Sequence, residues 1–229
     1  MINLKLADFG IQIDNKYEYL EKMCVDYISD VPVDLEVSVT EEEITREQSE
    51  RITHRGYLES LAVYRKIAEW LPHHNGFLMH GVVIETNGRG VAFLAKSGVG
   101  KTTHMINWKK LLGDKMTVVN GDKPLVKITD DGIFAYGTPW AGKENLQTNM
   151  CTRLTDICFI ERAETNECLD FEGDAFQKLL LQTNKPSDIS ALIKSVDLLG
   201  KITREIKFHT IRCNKDPESA EIAYKKIME

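Results

Sequence analysis

Residues 95–102, Ala-Lys-Ser-Gly-Val-Gly-Lys-Thr, carry side chains at the spacing that handles phosphate. Gly98 and Gly100 lack a Cβ, so the backbone there can approach an anion closely and take positive φ. The N–H groups of Ser97, Gly98, Val99 and Gly100 would then turn inward as an anion nest. Lys101 would set a point charge on the outer phosphates. The Thr102 hydroxyl would ligate Mg²⁺, and Thr103 follows it in the first helical turn, where free N–H groups favour an anion. Ala95 stands where the strictest form of the pattern has glycine, but that position still belongs to the incoming strand. A second segment supplies an acid. The apolar run 116–119 leads into Asn120-Gly121-Asp122-Lys123-Pro124. Asp122 thus follows strand, loop, helix and strand, where a metal-coordinating carboxylate is expected. The same Asn-Gly-Asp is also ordinary turn chemistry.

These groups need elements to hold them. Residues 90–94 read as a buried strand, and residues 103–112 as a helix ending at Gly113. Upstream, residues 77–85 read as one strand, and Asn87-Gly88-Arg89-Gly90 as a tight hairpin turn. An antiparallel hairpin leading directly into the loop predicts an α/β fold with a mixed, partly antiparallel sheet. It argues against the doubly wound sheet of common P-loop ATPases and GTPases. Residues 125–128, 133–136, 154–161 and 205–213 read as further strands, 174–183 and 187–200 as helices. Asp216-Pro217-Glu218 starts a last helix.

Residues 56–72 read as a helix stopped by Pro72, with Arg65 on its apolar side. Arg65 either snorkels to the rim or points into an anionic substrate site. The loop 137–144 carries Trp140 and Lys143. It either closes over a substrate or is a rigid turn with Trp140 folded inward. Residues 1–55 read as strands at 2–6, 10–13 and 33–39 with a helix over 17–28. They are an N-terminal elaboration of the same domain, and 56–229 is the loop-bearing domain.

The chain has 229 residues, 42% of them hydrophobic, and a net charge of −6. That suits one globular domain. Its cations are spread along the chain, which excludes a general nucleic-acid or membrane-surface binder, so phosphate affinity must be built locally. The five cysteines show no Cys-x-x-Cys pair. They read as reduced, mostly buried thiols of a cytoplasmic protein. The N-terminus lacks a basic-then-apolar leader, and no apolar run reaches membrane-spanning length.

The pieces His80-Gly81-Val82, Asn87-Gly88-Arg89-Gly90, Ser97 to Thr102 and Gly121-Asp122 resemble the HPr kinase/phosphorylase and ATP-dependent phosphoenolpyruvate carboxykinase superfamily. The wider pattern includes Thr103-His104 with Trp108, Lys123-Pro124, and Gly137 to Lys143. It is similar to small bacterial HPr-kinase-like proteins. The resemblance covers about residues 55–229 and implies a hairpin-led P-loop fold, ATP and Mg²⁺ as cofactors, and a member of a group that often assembles into homo-oligomers. It implies that His80 lies near the transferred phosphoryl group and that Asp122 is the second of two paired acids. Gly121 stands where the first acid would be. His80 then either compensates as a base or is a core histidine bonded to backbone. No separate carboxykinase half or extra metal ligands are found, so decarboxylation is disfavoured. The resulting expectation is an ATP- and Mg²⁺-dependent kinase acting on a hydroxyl of a small molecule or a protein serine. Lys123, Lys143 and Arg65 would neutralise charge on the acceptor. The alternative is a nucleotide-binding sensor or assembly protein with little catalysis.

Overall fold

The computed structural model describes residues 1–50 and 52–228. The chain opens with a hairpin of β1 (Ile2–Leu6) and β2 (Phe9–Asp14), whose alternation buries Leu4, Leu6, Ile11 and Ile13. Helix α1 (Glu18–Met23) and a 3-10 turn over Val25–Tyr27 follow, and β3 (Leu35–Ser38) adds parallel to β2. The single helix expected over 17–28 is therefore two pieces. The Cys24 N–H donates to Leu20 O and ends α1, and the bridge from Leu4 to Ile28 draws the chain into extended form. Helix α2 (Glu41–Arg46) starts on a capping box between Thr40 and Glu43. Helix α3 (Arg55–Trp70) buries Leu58, Ala62, Val63 and Ile67 against the three-stranded sheet. The same core takes in Leu78, Leu125 and Trp140 from later in the chain.

The remaining elements are β4 (Gly76–Leu78), β5 (Val82–Thr86), β6 (Arg89–Leu94), α4 (Lys101–Leu112), β7 (Met116–Asn120), β8 (Leu125–Thr129), β9 (Gly132–Tyr136), β10 (Cys151–Arg162), β11 (Glu167–Asp170), α5 (Ala175–Gln182), α6 (Ile189–Glu205), β12 (Lys207–Cys213) and α7 (Glu218–Met228). Their strands form a nine-stranded sheet ordered β4-β8-β9-β10-β6-β5-β7, with β12 also on β10 and β11 on β12. β6, β10 and β12 are parallel, and the other pairs are antiparallel. The sheet is mixed, as the hairpin before the loop predicts. Asn87 and Gly88 turn that hairpin at φ 53° and 73°, the left-handed pair of a two-residue turn. Helices α4 and α7 cover one face, where Phe93, Trp108 and Ala223 pack. Helices α5 and α6 cover the other, with Phe159, Leu179 and Leu199.

One expected strand is divided. Residues 77–85 split into β4 and β5, which pair in different parts of the sheet. Between them, Met79, His80 and Gly81 donate their N–H groups to Pro124 O, Gln182 O and Asp122 O. Residues 79–81 thus cross between the two parts and carry His80 to the end of β7. β11 has no counterpart in the sequence reading. Among the described residues no helix is long and apolar enough to cross a membrane.

Candidate functional site

The loop after β6 accounts for its polar groups in one direction. Ala95 O accepts from Lys101 Nζ (2.9 Å), and Lys96 O accepts from Val99 N–H (3.3 Å). Gly98 O and Val99 O accept from the Arg162 guanidinium, and Gly100 O accepts from His104 N–H, the first backbone bond of α4. Gly98 O and Val99 O are thereby held by Arg162, and Ala95 O by the cleft lysine itself. The N–H groups of Lys101, Thr102 and Thr103 precede that first helical bond and stay free of it. Gly98 takes φ 78° and Gly100 φ 134°, and a Cβ at either would meet nothing within 4 Å. Backbone conformation, not crowding, calls for glycine at both. Val99 departs from expectation: its N–H closes the turn onto Lys96 O, and its side chain packs into the core with Phe93. It is not part of the nest.

Lys101 is nearly buried, and its ammonium lies 3.4 Å from His80 Nε2. Burial lowers its pKa, against the opposing pull of Asp122. Asp122 sits on a turn built by Asn120, which is fully buried. The Asn120 Oδ1 accepts the N–H groups of Asp122 (2.9 Å) and Lys123 (2.7 Å), and its Nδ2 donates to Thr138. Asn-Gly-Asp is thus a turn, and the turn is what presents the acid. Asp122 Oδ1 lies 3.3 Å from His80 Nε2, and Oδ2 lies 3.4 Å from Lys123 Nζ. Burial works to raise the Asp122 pKa, but the bond to His80 and the Lys123 charge prevail and hold it below the usual carboxylate value. His80 Nε2 faces both an ammonium and a carboxylate. It can accept from Lys101 or donate to Asp122, so its tautomer selects the partner.

Gly121 is closely hemmed in. A Cβ there would lie 3.1 Å from both Ala141 O and Leu146 O. Any Cβ at this position presses on two carbonyl oxygens.

These groups open onto a cleft of about 1270 Å³. His80, Ser97, Gly98, Gly100, Lys101, Thr102, Thr103, Asp122 and Lys143 all line it. Lys123 stands behind Asp122 with its ammonium over the Tyr64 ring. Arg65 is not brought to the cleft. It grips Glu47 through two bonds of 2.6 and 2.8 Å on the outside of α3, which corrects its expected role in substrate binding. Trp140 folds inward, donates to Ser60 O and packs edge-on against Tyr64. The loop is therefore anchored at Trp140, while Gly142 to Asn145 border the cleft.

Sequence reasoning missed part of the cleft lining. It comes from residues 19–23 and 52–57, with Tyr19, His54 and Tyr57 in one aromatic group. Glu59, buried on α3, accepts the N–H groups of Lys16 and Tyr17 and so fixes where Tyr19 stands. Neither a charge pattern nor a glycine spacing marks this segment. Among the described residues no three His, Cys, Asp or Glu side chains gather as a metal-binding group.

Neither a protein-family model nor a curated protein matches the chain. Among solved structures, 51 chains match. One is the HPr(Ser) kinase/phosphatase from Coxiella burnetii, which is 11% identical over 65% of this chain and 94% of that one, with a TM-score of 0.39. The likeness is a distant one of fold.

Proposed function

We propose that this chain is an ATP- and Mg²⁺-dependent phosphotransferase acting on a hydroxyl group. The observation that carries the reading is the loop of residues 95–103, with the carbonyls of Gly98 and Val99 tied to Arg162 and with Lys101, His80 and Asp122 meeting at its open side. The loop and the first turn of α4 bind the triphosphate, and Lys101 draws charge from its outer oxygens. Thr102 and Asp122 would hold Mg²⁺. One protein carboxylate with substrate phosphates and waters suits that ion, which rarely uses an all-protein cage. When bound, it neutralises charge developing on the phosphoryl oxygens. Asp122, with His80 beside it, orients the acceptor hydroxyl and takes its proton as the oxygen attacks phosphorus and the bond to the leaving diphosphate breaks. Lys143, on the rim, and Lys123, behind Asp122, offset the negative charge. A typical single-ligand pocket holds about 300–1,000 Å³, and the cleft's 1270 Å³ leaves room for nucleotide and acceptor together.

A second reading has one observation in its favour. The crowding at Gly121 leaves a single acid at the centre, which suits a nucleotide-binding sensor with little turnover. ATP with Mg²⁺, with and without hydroxyl acceptors, separates the two. The kinase reading expects Lys101→Ala to lose nucleotide binding or turnover, and Asp122→Asn to keep binding and lose ADP formation. Wild-type turnover in Lys101→Ala removes this site from consideration. Binding without ADP formation under any acceptor selects the sensor.

A further inference from the structure

Arg162 ends β10, and its guanidinium bonds two carbonyls of the loop that follows β6. Nε donates to Val99 O at 3.2 Å, and Nη2 donates to Gly98 O. The contact spans more than 60 residues of sequence and arises because β6 and β10 are parallel, so both emerge at the same edge of the sheet. Phe159 pairs with Leu94, and three residues further on Arg162 is level with the loop. It is exposed, and the acid before it in the chain, Glu161, is taken by Lys178 and Arg212. An exposed arginine free to seek water instead spans two neutral oxygens.

The consequence lies in which way the loop's peptide groups face. The unit between Val99 and Gly100 has glycine on one side, so its rotation meets little steric resistance. Turned over, it would put Val99 O on the side of the cleft where the Gly100 N–H belongs, and an anion would meet an acceptor in place of a donor. A planar guanidinium with several donors suits two adjacent carbonyls, and an ammonium does not. We propose that Arg162 is a positioning residue that ties back the carbonyls of Gly98 and Val99 and so holds the loop in its anion-binding form. The proposal rests on the reading of the cleft as a phosphate site.

The test measures binding of a fluorescent ATP analogue with Mg²⁺ to wild type, Lys101→Ala, Arg162→Gln and Arg162→Lys, each shown by thermal unfolding to be folded. Amide signals of Gly98 and Gly100 are followed in the nucleotide-free, ¹⁵N-labelled proteins. Turning one loop donor away from the anion loses a hydrogen bond to a charged group, so Arg162→Gln is expected to weaken binding by about 10–100-fold. Arg162→Lys should recover only part of that loss. The signals of Gly98 and Gly100 should move or broaden in Arg162→Gln while that of Gly113, at the far end of α4, stays. If Lys101→Ala abolishes binding and Arg162→Gln binds within about twofold of wild type with unmoved glycine signals, the positioning role is refuted and the phosphate site stands. Full recovery in Arg162→Lys would reduce Arg162 to a charge and also refute it. If Lys101→Ala binds as wild type does, the phosphate site falls and this role with it.

Discussion

Replacing Gly121 tests why the site has one acid. An alanine Cβ would sit 3.1 Å from Ala141 O and Leu146 O, so both must yield by a few tenths of an ångström. Leu146 is partly exposed and can move. Ala141 follows the buried Trp140, and its N–H is bonded to Pro139 O. Overpacking costs about 1–3 kcal/mol where nothing yields, and with one soft neighbour Gly121→Ala should lose about 1–2 kcal/mol. Gly121→Asp meets the same contact and brings a negative charge beside those two carbonyl oxygens, a further loss of about 1–3 kcal/mol. For a chain of this size each kcal/mol shifts Tm by about 2–4 °C. Thermal unfolding at pH 7 should therefore rank wild type above Gly121→Ala, and Gly121→Asp lowest. The gap between the variants should narrow at lower pH, where a protonated carboxyl can donate to a carbonyl. ATP turnover should not rise in Gly121→Asp. A Gly121→Asp protein as stable as wild type and more active would show that the position accepts a second acid, and the steric account of its absence would be wrong.

Two further perturbations reach the elements around the site. Burial pushes the His104 imidazole from its ordinary pKa of 6.5 down to about 4, so it stays neutral in the fold while the unfolded chain takes up a proton below about 6.5. Stability should then fall as pH drops from about 6.5 to 4, by at most about 3.5 kcal/mol at about 1.4 kcal/mol per pH unit. His104→Gln can still accept from the Trp108 N–H, so it should flatten that slope, and urea unfolding at pH 7.5 and 4.5 reads the difference; an unchanged slope would assign it elsewhere. Trp140→Ala removes a buried ring and its bond to Ser60 O, an expected loss of about 3–5 kcal/mol seen in guanidinium unfolding. A loss under about 1 kcal/mol would mean that Trp140 does not anchor the loop bordering the cleft.

The legible part of this protein is the part written in local rules. The hairpin turn at Asn87-Gly88, the loop glycines and the helix after Lys101 all follow from what neighbouring residues allow, and the structure places them as the sequence predicts. Asn120-Gly121-Asp122 offered two readings, turn or acid, and the buried Asn120 amide builds the turn that sets Asp122 at the cleft. What stayed hidden depends on contacts between distant segments. The apolar run 77–85 looks continuous because Met79, His80 and Gly81 bond to residues 40 to 100 positions away, which no periodicity reports. Arg65 shares the apolar side of α3 in sequence, yet its partner Glu47 lies on the chain after α2, so the helix pattern pointed it the wrong way. The wall of Tyr19, His54 and Tyr57 is the deepest case. It carries no motif because its placement is decided by Glu59 capturing two backbone N–H groups 42 and 43 residues away. The 95–103 loop is built from adjacent residues, so it leaves a pattern in the sequence. The Tyr19, His54 and Tyr57 lining is assembled from separate segments, and the sequence keeps no local mark of how it is done.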